Sequence, residues 1–216
     1  MITVVTALTD GKDNLSDDHV KGKAEFIAFT DVVYPTKLWS QAYCYDKFTS
    51  PRRNSRIHKI LIHQYTDSEY SIWLDANLTL KVSPEQLIRE FMQDCDIAVF
   101  QHPERDCIYD EAMICAVHKL DDQETIITQA KKYEDSGHPK HLGLAECNMI
   151  IRKNTAKVRE FNNAWWSEYC RHSARDQISF MYVANRMGID INLISPSARA
   201  GNKYFGFTNH LTARPE

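Results

Sequence analysis

A chain of 216 residues, 43% hydrophobic and 25% charged, suits one globular domain able to bury about 70% of its unfolded surface. Its net charge of −3 argues against general nucleic-acid binding, which calls for a basic excess, and no run approaches the ~18 apolar residues of a membrane span. The six cysteines form no CxxC pair and several lie in apolar runs such as "AMICAV", so they read as reduced, buried thiols, with neither a disulfide framework nor a zinc site expected.

The N-terminal "ITVVTAL" is rich in Val and Thr and stops at the turn pair Asp10-Gly11, which marks a strand and not a signal peptide. A polar segment leads to a second strand, "AEFIAFTD". The spacing of Leu38, Ala42 and Tyr45 then predicts a helix over "TKLWSQAYCYDKF". "SPRRNSRIHKILIHQY" is a basic approach into another helix, followed by a strand-like run at 70–74. Ser83 as N-cap, Pro84 in the first turn and Gln86 closing a capping box predict a helix over "SPEQLIREFM". "DIAVFQ" reads as a strand. Helices are predicted around 107–119 and 122–134, the second stopped by Ser136-Gly137-His138-Pro139. "CNMIIR" returns as a strand, and a helix from about Ala156 puts Val158, Phe161, Trp165 and Tyr169 on one stripe. A helix over "DQISFMYVANRM" ends at Gly188, before a last strand in "IDINLIS". Such alternation predicts an α/β domain with a largely parallel sheet. Ligands then bind beyond the carboxyl ends of strands, where Asp10, Asp75, Gln101 and Arg152 are expected.

Within "EYSIWLDANLTL" an apolar run is broken by Asp75-Ala76-Asn77. If the backbone stays extended, residues two apart face the same way, and Asp75 and Asn77 would aim oxygens at one point. Hard oxygen ligands of this kind suit Mg2+ or Mn2+, with phosphate oxygens completing the shell. Asp and Asn are equally at home in an ordinary turn. Just upstream, Arg52, Arg53, Arg56, His58, Lys59 and His63 form a basic stretch, and a helix there would put Arg56, Lys59 and His63 on one face. A metal and a cationic face together are what a departing diphosphate needs, because negative charge builds on it. Taken alone, the stretch also fits a solvated basic face.

The blocks "HKILIHQYTDSEYSIWLDANLTL", "FQHPERDCIYDEA", "GLAECNMIIRKNT" and "WWSEYCRHSARDQISFMYVANRMG" run in this order between about residues 54 and 188. Together they resemble small GT-A glycosyltransferases of the capsular-polysaccharide type. That group has relatives among plant Golgi enzymes and the N-terminal glycosyltransferase domains of chlorella-virus capsid-glycan enzymes. The resemblance implies a Rossmann-like GT-A domain over 1–216, whole or as one domain of a longer polypeptide. It implies transfer of a hexose or deoxyhexose from a UDP-sugar donor to a glycan or glycoprotein hydroxyl, with Mn2+ (or Mg2+) as cofactor. No nucleic-acid partner and no membrane span belong to that picture, and the expected setting is the cytoplasm, that of the host for a viral capsid-glycan enzyme.

Carried onto this sequence, the DxD-like metal motif falls on Asp75-Ala76-Asn77, with Asn77 supplying one negative charge fewer than a second Asp would. His210 in "TNHLTARP" is the expected third metal ligand. Thr6, Ala7, Leu8 and Thr9 would hold the nucleoside, and Arg56 and Lys59 the diphosphate. His102, Arg105 and Asp106 would contact the donor sugar, unless Glu111 orients Arg105 or the group is a surface ion-pair network. Asp176 would be the general base of an inverting enzyme. In a retaining one, Asp176 or Gln177 would steady the anomeric centre, and Glu146 competes for either task. Helix capping is the other reading of Asp176. Trp165 and Trp166 are expected as core and rim and not as acceptor platforms. A nucleotide-sugar hydrolase and a non-catalytic carbohydrate-binding module are the alternative functions.

Overall fold

The computed structural model describes residues 1–11, 13–195, 197 and 202–209. The first half contains strands β1 (Ile2–Leu8), β2 (Glu25–Thr30) and β3 (Ser40–Tyr43), helix α1 (Pro51–Ile60), β4 (Tyr70–Leu74), β5 (Leu78–Leu80) and α2 (Pro84–Phe91). The second half contains β6 (Ile97–Gln101), α3 (Ile108–Val117), α4 (Gln123–Asp135), β7 (Ala145–Lys153), α5 (Ala156–Arg171), α6 (Asp176–Met187), β8 (Ile191–Ile194) and β9 (Phe205–Phe207). No helix among the described residues is long and apolar enough to cross a membrane.

Seven strands form one sheet in the order β3-β2-β1-β4-β7-β6-β8, and β5 pairs with β9 in a separate antiparallel ribbon. Every neighbouring pair of the large sheet is parallel except those made by β7, which runs against both β4 and β6. The central strands are buried on both faces, which is why β4 reads as an apolar run and why β7 is buried almost throughout despite its polar residues. One face packs on α3, α4, α5 and α6; Val158, Phe161, Trp165 and Tyr169 are all buried there, as their stripe predicts. Each large apolar side chain so buried stabilises the fold by about 1.5–3 kcal/mol. The other face is covered by Leu87 of α2, by Leu15 and Trp39, and by the β5–β9 ribbon.

The reversal of β7 corrects one expectation directly. Arg152 lies opposite Ser71, near the start of β4, at the end of the sheet remote from Asp75. It is buried, its guanidinium lies 5.6 Å from the Trp165 ring, and its side-chain nitrogens have no hydrogen-bond partner among the described residues. Burial pushes its pKa down to about 9. The amino end of β7, not its carboxyl end, joins the carboxyl ends of β1, β4 and β6 at the edge where ligands are expected.

Other local readings also change. The segment predicted as a helix around Leu38, Ala42 and Tyr45 contains β3, an edge strand with Tyr43 exposed. Pairing of Ser40–Tyr43 with β2 outweighs the helical spacing, because an edge strand has no alternating burial to advertise it. Helix α2 starts as predicted, with Ser83 Oγ accepting from the Gln86 N–H; the Gln86 amide bonds Glu90 instead of completing the box. Helix α1 ends at Ile60 and gives way to a 3-10 turn, Ile62–Gln64. His63 therefore leaves the basic face, and its Nδ1 lies against the Asn162 amide.

Two histidines are part of this core. His58 stacks on Phe29 with ring centroids 3.8 Å apart, and its Nε2 accepts from the Tyr45 N–H. His19 packs edge-on to Phe26 and Trp39 while its Nδ1 accepts from the Leu80 N–H. Burial pushes both down from 6.5 to about 4, so both rings are neutral in the fold. The unfolded chain binds these protons near pH 6.5 and the folded chain only near pH 4. The stability they contribute is thus present above pH 6.5 and lost as pH falls through that interval. The melting temperature should drop across it, and His58→Gln, less stable at neutral pH, should drop less.

Candidate active site

Helix α1 begins immediately beside the end of β1. Ser50 caps it by accepting from the Arg53 N–H, Pro51 fills its first position, and Thr9 Oγ1 donates to the Pro51 carbonyl. The helical repeat then turns Arg52, Arg56 and Lys59, at i, i+4 and i+7, toward the carboxyl edge of the sheet. The cationic face exists, but one turn earlier than the sequence suggested: Arg52 replaces His63.

Two adjoining hollows open at this edge and share Arg56, Asp75 and Arg175 in their walls. Their volumes of about 280 and 370 Å³ suit a small ligand. Ala7, Leu8 and Thr9 line the first, together with Asp13, Arg52 and Ala76. Thr6 does not; its hydroxyl is buried one residue deeper without a hydrogen-bond partner among the described residues. Lys59, Asn77, Glu146, Asn148, Asp176 and Gln177 line the second.

At the tip of β4 the backbone does not stay extended. The Leu78 N–H donates to the Asp75 carbonyl at 2.9 Å, closing a turn that leads into β5. Asp75 and Asn77 nevertheless border the same hollow, because the β5–β9 ribbon holds the turn: the Asn77 carbonyl accepts from the Thr208 N–H and hydroxyl. Asp75 Oδ1 accepts from Trp73 Nε1 at 2.7 Å and lies 3.9 Å from Lys59 Nζ. One carboxylate and one amide are a sparse donor set for a divalent cation. They fit a Mg2+- or Mn2+-type ion whose remaining ligands come from phosphate and water. His210 lies outside the described residues.

The strongest contact in the site is buried. Lys59 Nζ donates to Asp176 Oδ2 at 2.6 Å, and Arg56 Nε pairs with the same oxygen at 3.1 Å. Burial works to raise the Asp176 pKa, but the charges of Lys59 and Arg56 outweigh it and hold the carboxyl well below the usual range. Asp176 is therefore a fixed anion and a weak proton acceptor. Gln177 is occupied at both ends, donating to the Ala145 carbonyl and accepting from Arg175 Nη2.

Glu146 and Asn148 reach the hollow through a β-bulge. Val99 pairs with Ile150 but Gln101 with Ala145, and within the extra length Cys147 adopts φ +59°. A bulge beside a site re-aims side chains; here Glu146 and Asn148 both face the cavity while Cys147 turns into the core. Asn148 Oδ1 is buried without a hydrogen-bond partner among the described residues. His102 and Arg105 line neither hollow. Arg105 donates from Nε to Glu111 Oε2 at 2.9 Å and from its backbone N–H to His102 Nδ1, the network in which Glu111 orients Arg105. Asp106 pairs with His141. Glu111 also lies 3.6 Å from Arg175, so this network backs the site without lining it.

The profile of the TOD1/MUCI70 glycosyltransferase-like domain matches residues 37–198, which include the α1 cations, the Asp75 turn, the β7 bulge and Asp176. The chain belongs to this family. It is 27% identical over 156 residues to the Arabidopsis thaliana "Probable hexosyltransferase MUCI70" and 25% identical over 158 residues to the A. thaliana "Alkaline ceramidase TOD1". The matches cover 67% and 68% of this chain but only 27% and 34% of those relatives. The bifunctional glycosyltransferase WbbM, at 10% identity and a TM-score of 0.53, covers 89% of this chain and 38% of its own. The family domain thus has a glycosyltransferase fold of the GT-A-like α/β kind.

Sequence reasoning missed Arg175 and Asn148. Arg175 precedes α6 as its N-cap residue, a place where an arginine carries no motif, and Asn148 is aimed by a bulge that no single-sequence pattern marks. For the family domain, Asp176→Asn should cost about 3–5 kcal/mol in urea unfolding, because it strips buried Lys59 and partly buried Arg56 of their counter-charge. Adding Lys59→Met should recover part of that loss, a non-additivity that a double-mutant cycle measures.

Proposed function

We propose that this domain transfers a sugar from a nucleoside diphosphate donor, UDP-linked, to a glycan hydroxyl. The observation that carries the reading is the set of cations Arg52, Arg56, Lys59 and Arg175 that line, with Asp75 and Asn77, the two adjoining hollows. The nucleoside would lie against Ala7, Leu8 and Thr9, with the diphosphate between α1 and the β4 tip. Glycosyl transfer develops negative charge on the leaving diphosphate and positive charge at the anomeric carbon. The α1 cations and Arg175 would neutralise the first, already oriented by Asp176 and Glu111 before the donor arrives.

A divalent cation, Mn2+ or Mg2+, when held by Asp75 and Asn77 oxygens, would add Lewis-acid neutralisation of the same diphosphate. Asp176, already bound to two cations, is better suited to fixing Lys59 and Arg56 than to taking a proton. Glu146 is the better candidate for the reacting carboxylate, as base toward the acceptor hydroxyl or as stabiliser of the anomeric centre. Asn148 Oδ1 would accept a hydrogen bond from a donor-sugar hydroxyl. The acceptor would be a surface glycan of the polysaccharide or viral-capsid kind that the sequence resemblance implies, reached in a reducing, cytoplasmic setting. Amide cleavage of a lipid, the chemistry in one relative's name, calls for an apolar cleft to hold acyl chains, and the lining here is rich in charged side chains.

A thermal-shift panel of nucleotide sugars, with and without Mn2+, tests the proposal. A UDP-sugar should raise the melting temperature, more so with Mn2+, and Asp75→Ala should remove the metal-dependent part. Arg56→Ala should weaken nucleotide binding by at least tenfold. Glu146→Gln should lower kcat by roughly 10²–10⁴-fold while leaving donor binding within a few-fold. Absence of any shift with every nucleotide sugar would sink the proposal, and sugar release to water at an equal rate with and without acceptor would make the domain a hydrolase.

A further inference from the structure

We propose that Cys107, Asp110 and His141 form a zinc site on the outer face of the domain, separate from the Asp75-Asn77 hollow. Cys107 Sγ, a carboxylate oxygen of Asp110 and a ring nitrogen of His141 all lie within 4.8 Å of one another. They come from separate stretches: Cys107 is the N-cap of α3, Asp110 sits in its first turn, and His141 lies between α4 and β7. Cys107 is buried and its side chain makes no capping hydrogen bond; Asp110 and His141 are exposed, which leaves a route of entry.

The donor types decide the metal. A thiolate with an imidazole and a carboxylate is a set that Zn2+ takes, whereas Mg2+ and Ca2+ call for oxygen alone. Zn–S and Zn–N bonds of about 2.3 and 2.0 Å put tetrahedral ligand atoms roughly 3.5 Å apart, a closure that side-chain rotation at the two exposed residues supplies. A zinc-bound histidine usually hands its second ring nitrogen to a carboxylate. His141 already does so, with Nδ1 2.7 Å from Asp106 Oδ1, which leaves Nε2 for the metal. Three protein ligands leave a fourth position for water.

Zinc here would tie the start of α3 to the connection that enters β7, next to the bond from the His102 N–H to the Leu144 carbonyl. The site is invisible in the sequence, because its histidine stands far from its cysteine and no CxxC pair accompanies them.

The test uses the whole chain, stripped with a chelator and titrated with Co2+ and then Zn2+. One equivalent of Co2+ should give a near-ultraviolet thiolate-to-cobalt charge-transfer band that Zn2+ abolishes, and Zn2+ should raise the melting temperature. Cys107→Ser should lose the band. His141→Asn and Asp110→Asn, both surface changes, should weaken Co2+ binding at least tenfold, and Asp106→Asn by about 10–100-fold. Asp75→Ala should leave the band unchanged, which separates this site from the nucleotide hollow. No band in the wild-type chain, a band that persists in Cys107→Ser, or undiminished affinity in His141→Asn would overturn the proposal.

Discussion

The buried contact of Asp176 with Lys59 and Arg56 is the constraint around which the working edge of the sheet is arranged. It joins α1 to α6 across 117 residues of sequence and does so in a place where neither charge can be left alone. Breaking such a pair exposes a desolvation penalty of several kcal/mol, so the two helices are held in register by what separation would cost more than by what contact gains. Lys59 is at the same time 3.9 Å from Asp75, which extends the linkage to the tip of β4. Three elements are thus fixed relative to one another by a single ammonium group. Cations so held need no reorganisation when an anion arrives, and preorganisation of that kind is where electrostatic catalysis obtains its advantage.

The opposite wall depends on the direction of one strand. Had β7 run parallel to its neighbours, its carboxyl end would bring Arg152 to the edge and its amino end would lie at the far side. Reversal puts Glu146 and Asn148 there instead, and leaves Arg152 buried against Trp165. The bulge completes the arrangement. Glu146 and Asn148, two residues apart, share one side of the strand and face the hollow, while Cys147 between them, in the left-handed region, turns into the core. Non-glycine residues in that region cost of order 1–3 kcal/mol and persist where surrounding structure over-determines them. Full burial of Cys147 between α6 and the sheet supplies that determination.

Much of the scaffold was legible in the chain because its elements follow from local rules. Strands β4 and β6 announced themselves as apolar runs, and α2 and α5 by caps and stripes. The site was only partly legible. Asp75, Asn77, Arg56 and Lys59 could be picked out because turn residues interrupt a strand and basic residues recur at helical spacing. The partner of Lys59 could not, since a contact between residues 59 and 176 leaves no periodic trace. Strand direction is likewise silent: the apolar character of "CNMIIR" is the same whichever way the strand runs. His102 and Arg105, a charged cluster at a strand end, line neither hollow; Arg105 pairs with Glu111, which in turn lies against Arg175.

Charge balance in the two hollows bears on how a donor and a metal would enter on the proposed reading. Their walls carry four cationic side chains, Arg52, Arg56, Lys59 and Arg175, and four acidic ones, Asp13, Asp75, Glu146 and Asp176. With all eight ionised, the empty site is neutral, so it holds no excess negative charge to retain a divalent cation by itself. A diphosphate arriving alone would leave about two negative charges uncompensated in a partly desolvated space, where such an imbalance is expensive. A divalent cation entering with the nucleotide restores neutrality. An aspartate in place of Asn77, which is only 6% exposed, would tip the empty site negative and favour metal before nucleotide. On that reading Asn77 would make the metal a companion of the donor and not a resident of the protein.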